Sequence, residues 1–162
     1  MTVQQVVQLM GQMKQLNESL LSLSHKKTEA IKTNDMNSLQ QLLTMERKHV
    51  QAINKVEKER IEAVTRWYNE HEIPATDPTV SEMLTYLEGE EHQQLHNAYN
   101  ELILVLSELK NQEQLNAELI QQSLQFVNVS LDMLEPSLEQ VNYGHQPGVD
   151  AKSKRSVFDS KA

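Results

Sequence analysis

The sequence predicts an all-α protein: an elongated antiparallel bundle of three long helices and one short one, with coiled-coil-like packing. Three observations carry that expectation. The chain of 162 residues holds only four glycines and four prolines, and its aromatic content is 4%. That composition suits helices and lacks the aromatic residues that strands favour. Apolar residues recur at alternating steps of three and four over long stretches, which marks one buried face of a helix. The breaks in this rhythm fall at residues that cap or stop helices rather than at strand-like alternation.

Taken in order, Val6, Leu9, Met13, Leu16, Leu20 and Leu23 form the first apolar stripe, on a helix from about residue 2 to 32. Thr33-Asn34-Asp35 interrupts it, and Asp35 is placed to cap a second helix by accepting from free amides of its first turn. That helix is expected over 36–72, with Leu39, Leu42, Ile53, Val56, Ala63 and Trp67 along its seam. Between Glu46 and Glu72 six acids face six Lys or Arg residues, including Lys55 with Glu59 and Lys58 with Glu62 at four-residue spacing. This reads as a solvated, ion-paired face.

Ile73-Pro74-Ala75-Thr76-Asp77-Pro78 ends the second helix, because the residue before a proline is pushed out of helical geometry. Asp77 followed by Pro78 reads as cap and first position of a short third helix over 78–87, with Thr79-Val80-Ser81-Glu82 as an alternative capping box. Gly89 separates it from a last helix over 90–134, on which Leu95, Ala98, Leu102, Leu106, Leu109, Asn116, Ile120, Leu124, Val127, Leu131 and Leu134 lie close to one line. Pro136 is expected to end or kink it. These helices make one bundle domain over 1–142, and residues 143–162, with Gly144, Pro147, Gly148 and mixed charge, read as a disordered tail.

The last helix carries more apolar surface than one contact needs. On a wheel of 100° per residue, Ile120, Leu124, Val127, Leu131 and Leu134 fall within about 40° of one direction and form the ordinary core stripe. Leu119, Phe126, Val129 and Met133 form a second stripe roughly 130° round the cylinder. With a first helix of about 31 residues and a last one of about 45, roughly 20 Å of the last helix would overhang its partner. Residues 116–134 are therefore expected to receive an amphipathic helix of another protein in a helix-in-groove mode, with self-dimerisation or intramolecular burial as the alternatives. The seven methionines suit an adaptable apolar surface, with most of them expected to fill the core.

Several chemistries are set aside. With no cysteine there is no disulfide, thiolate metal site or cysteine nucleophile. Glu46-Arg47-Lys48-His49 supplies one Glu-x-x-His where a di-iron bundle needs two, and His92 with His96 lacks a third zinc ligand. No Gly-rich phosphate loop or nucleophile elbow can be built, so neither catalytic residues, cofactor nor metal is expected, and the chain is not read as an enzyme. Residues 90–140 hold nine acids against Lys110 alone, a segment charge of −8, the same as the net charge of the whole chain. Such a surface disfavours nucleic acid. The N-terminus lacks a signal-peptide pattern and no apolar run suffices for a bilayer span, so a cytoplasmic location without membrane insertion is expected.

The stretch from Leu20 to Arg60, with Lys26-Lys27, Ala30-Ile31, Asp35, Leu39, Leu42, Glu46, Ile53 and Glu59-Arg60, resembles the FlgN family of flagellar export chaperones. Asn116-Ala117-Glu118-Leu119-Ile120-Gln121-Gln122-Ser123-Leu124-Gln125-Phe126-Val127 is similar to that family's C-terminal helix. The closing Val157-Phe158-Asp159-Ser160-Lys161-Ala162 is similar to tails of Gram-positive, Bacillus-like members. The resemblance implies a cytosolic chaperone that binds the C-terminal helices of the first and third hook-associated proteins, prevents their premature assembly and delivers them to the flagellar type III export apparatus. It places the client site in the C-terminal helix. Export-apparatus components, with Lys152, Lys154 and Arg155 as a candidate contact, and a homodimer of the free chain are further partner expectations. The competing expectation is a structural coiled-coil adaptor or homodimeric scaffold that exchanges no client.

Overall fold

The computed structural model describes residues 2–143, with side chains over 3–134, and every regular element among them is helical. The order is α1 (Thr2–Lys32), α2 (Met36–Glu70), α3 (Val80–Tyr86) and α4 (Gly89–Tyr143). The chain divides into two compact units, Met1–Ile120 and the residues from Gln121 onward.

In the first unit α1 packs against both α2 and α4. Val3, Val6, Met10, Met13, Asn17, Leu20, Ser24 and Lys27 are all buried, and they follow steps of three and four without a gap. These are a and d positions of a heptad seam, with polar residues at three of the last four. Leu9, Leu23 and Ala30 are buried beside them, so the covered face is wide enough for two neighbours. The expected stripe differs at one place: Leu16 is only half-buried and Asn17 takes the interior position. Asn17 satisfies its amide locally by donating to the Met13 carbonyl at 2.8 Å.

The turn after α1 reverses the chain. Asn34 adopts φ of 55°, Asn34 N–H donates to Ile31 O at 3.2 Å, and Asp35 N–H donates to Ala30 O at 2.9 Å. This pair of bonds closes the helix with a left-handed residue at its end, a conformation asparagine tolerates. Asp35 then caps α2, accepting from Ser38 N–H at 3.1 Å and Ser38 Oγ at 2.6 Å. These bonds hold the Asp35 carboxyl below its ordinary range.

α2 runs antiparallel to α1 and buries Leu42, Ala63, Val64, Trp67 and Tyr68. It stops at Glu70 rather than 72, because Glu72 turns left-handed at φ 55° and Ile73 N–H donates to Tyr68 O at 3.1 Å. The i,i+4 pairs Lys55–Glu59 and Lys58–Glu62 do not close among the described residues. Arg60 instead grips Glu57 through two hydrogen bonds of 2.7 Å. A planar guanidinium makes two parallel bonds where an ammonium makes one, so the bidentate pair is the ordered one.

α3 begins at Val80, not 78. Thr79 caps it by accepting from Glu82 N–H at 3.1 Å, and Tyr68 Oη donates to Thr79 O at 3.1 Å. The second anchor explains why Thr79 prevails over Asp77. Val80, Met83 and Leu87 are thereby placed in the larger core with Trp67, Tyr68, Leu95 and Leu102. Gly89, at φ 63°, makes the bend into α4 that a side chain would strain.

α4 runs parallel to α1, since Lys14 pairs with Glu101 at 2.8 Å while Ser24, further along α1, bonds Glu113 at 2.7 Å. Leu95, Leu102, Val105 and Asn116 are its buried residues among those described. Val105 replaces the expected Leu106, which is exposed: the heptad step from Leu102 is three, and Leu106 falls on the rim.

From Gln121 onward the second unit consists, among described residues, of helix to Tyr143. The expected stop at about Leu134 is not taken, and the helix passes Pro136. A proline removes one amide donor and disturbs a single turn, which a helix of good formers on both sides can absorb. The tail expected beyond Tyr143 lies outside the described residues.

Candidate functional site

Coverage of α4 ends at a buried polar layer. Asn116 donates to Ser24 O at 2.9 Å and to Ser24 Oγ at 3.1 Å, and accepts from Thr28 Oγ1. Gln112 Nε2 donates to Thr28 Oγ1, which also reaches Ser24 O at 3.1 Å. Beside this cluster the Lys27 ammonium donates to Glu46 of α2 at 2.7 Å and to Glu113 of α4 at 2.9 Å. One cation thus ties three helices together at one level.

The layer has defined charge states. Burial works against the charge on Lys27, and its bonds to Glu46 and Glu113 outweigh that cost, holding its pKa above the ordinary lysine value. Burial also works against the Glu113 carboxylate, and the bonds from Ser24 and Lys27 outweigh it, holding its pKa below the ordinary glutamate value. No buried side-chain polar atom among the described residues lacks a partner. A fully satisfied polar layer fixes axial register, because slipping any helix would bury an unpaired group.

Past Asn116 none of the described apolar side chains is fully buried. Ile120, Leu124, Val127 and Leu134, expected as the ordinary core stripe, are all exposed, and Leu131 is half-buried. The reason is that interior positions depend on a neighbouring helix as well as on periodicity. On the second stripe Phe126 is 73% exposed and Met133 75%, Val129 is exposed, and Leu119 is half-buried. Upstream on α4, Leu104 and Leu115 are exposed too and precede Phe126 at steps of eleven, which turn a helix by only about 20° net. They extend the second stripe, and an eleven-residue spacing was the signal that could have found them.

The polar groups of this segment offer no reactive constellation. Ser130 Oγ donates back to Phe126 O at 2.8 Å, and Gln114 donates to Glu118 at 3.2 Å. The His92 and His96 rings stack at 5.6 Å, and Asn100 meets His96 Nε2 at 3.0 Å. Among the described residues no group of three or more His, Cys, Asp or Glu could hold a metal ion, and no helix is long and apolar enough to cross a membrane. A half-open cleft of about 360 Å³ lies under Trp67, lined by Val3, His71, Tyr86 and Leu87. His71 stacks on the indole at 4.4 Å there and its Nδ1 lies 2.8 Å from Trp67 O, so it braces the helix end.

A sequence model described as FlgN protein matches residues 1–148 of the chain. The uncharacterized protein YvyG of Bacillus subtilis (strain 168) is 33% identical over 164 residues, covering 100% of each chain. No solved structure matches the chain.

Proposed function

The chain belongs to the FlgN family, one of flagellar export chaperones, and from that premise we propose that its C-terminal helix holds the C-terminal helices of hook-associated proteins in the cytosol before export. Leu119, Ile120, Leu124, Phe126, Val127, Val129, Leu131, Met133 and Leu134 form the binding face. The observation that supports this most is the uncovered pair of stripes, with Phe126 and Met133 each about three-quarters exposed. A client helix that covers a Phe or Leu side chain gains about 1.5–3 kcal/mol for each one fully buried. The client helix's own apolar face, when covered, is unavailable to the client's assembly partners, which is how binding alone prevents premature polymerisation. Release at the export apparatus then requires only a competitor for those contacts.

The test is capture of a hook-associated protein by the full chain and by Phe126→Glu/Met133→Glu. The double variant should keep its far-UV helicity and lose capture by at least about tenfold. Equal capture by both proteins refutes this face as the site.

A further inference from the structure

A second exposed apolar line runs along α2 in the first unit. Met36, Leu43, Val50 and Ile61 are all exposed, and at 100° per residue they fall within about 40° of one another. The four residues lie roughly 80–120° from the buried Leu42, off the centre of the seam with α1. Arg47 and Lys58 sit on the same flank, within about 40° of Met36, and neither makes an ion pair among the described residues. The acid nearest the line is Glu57, which Arg60 already holds. This face is therefore apolar with a basic border.

The exposed stripe of α4 has the opposite character. No Lys or Arg occurs from residue 111 to 151, and the exposed acids Glu118 and Asp132 border Phe126, Val129 and Met133. Two such stripes laid on each other would set acid against acid with no cation to compensate, so self-pairing of α4 with α4 is disfavoured. Laid on α2 of another copy, the stripe meets an apolar line with the complementary charge. The α2 line is long enough to seat the stripe: Met36 to Ile61 spans roughly 37 Å of helix, and Leu119 to Met133 roughly 21 Å.

We propose that the α2 face of Met36, Leu43, Val50 and Ile61, bordered by Arg47 and Lys58, is a docking site for residues 119–133 of a second copy of this chain. The free protein is then a dimer in which each copy covers the other's C-terminal stripe. This does not rest on client capture, since the dimer forms with no client present. A client that takes the stripe dissociates the dimer.

Sedimentation equilibrium of the full chain over a range of concentration tests the proposal. Wild type should show a monomer–dimer equilibrium that weakens as salt rises. Arg47→Glu/Lys58→Glu should raise the dissociation constant about tenfold or more. Adding Glu118→Lys/Asp132→Lys to that variant should restore association to within about threefold of wild type, which a merely misfolded variant would not do. A monomer at every concentration, a dimer indifferent to the α2 substitutions, or a quadruple variant that fails to recover would each overturn it. A monomer that still captured a hook-associated protein would leave the client reading standing and remove only this one.

Discussion

Lys27 and Glu113 show how single groups fix the bundle and how pH should act on it. Glu113 titrates below its unfolded value, so its contribution is present above an unfolded carboxylate pKa of about 4.3 and is lost as pH falls through the lower folded value. Lys27 is the reverse case: its folded pKa is raised, so its contribution is complete below about 10.4 and is lost as pH rises through the folded value. From these two groups, stability should be flat at neutral pH and fall toward both extremes. Glu113→Gln should be less stable than wild type at pH 7, with the gap narrowing in acid, as urea titrations between pH 3 and 7 would read. A constant gap would mean the carboxylate is not the linked group. Asn116 was legible in the sequence as a polar break in an apolar line, but its partners Ser24 and Thr28 were not, because pairing across about ninety residues leaves no local signature.

At the scale of elements, the caps were the most readable features. Asp35 stands where its side chain competes for helix-terminal amides, and it caps α2 as the sequence indicates. The α2 end was misjudged by two residues, since Glu72 adopts the left-handed conformation that sequence reasoning assigns to glycine or asparagine. Ile73 N–H reaches back to Tyr68 O, and Ile73 packs with the larger core, which holds Glu72 there. Relief of that conformation in Glu72→Gly should therefore raise stability by about 1 kcal/mol, measured by thermal unfolding. A lower Tm would show that the Glu72 side chain contributes more than its backbone costs. The α1 seam was partly hidden for a different reason: Asn17, Ser24 and Lys27 occupy interior positions, and a search for apolar residues passes over them.

For the whole molecule, the buried side chains among the described residues lie between Val3 and Asn116, within the first unit. The stripes after Ile120 are surface. A chain ending after Ile120 should unfold cooperatively with Tm within about 4 °C of the full chain, since few buried contacts are removed. A larger fall would mean that residues from Gln121 onward support the first unit. The same truncation should lose client capture, so stability and binding are expected to separate at that boundary.

Among the described residues, the sequence alone determined the all-helical class, the number and order of the helices and the doubled apolar stripe of α4, because these follow from local propensity and a 3.6-residue period. Only the tertiary structure decided which stripe residues are interior. Leu102 and Leu124 read alike in sequence, yet one is buried and the other exposed, since burial requires a neighbouring helix and periodicity cannot report where that neighbour ends.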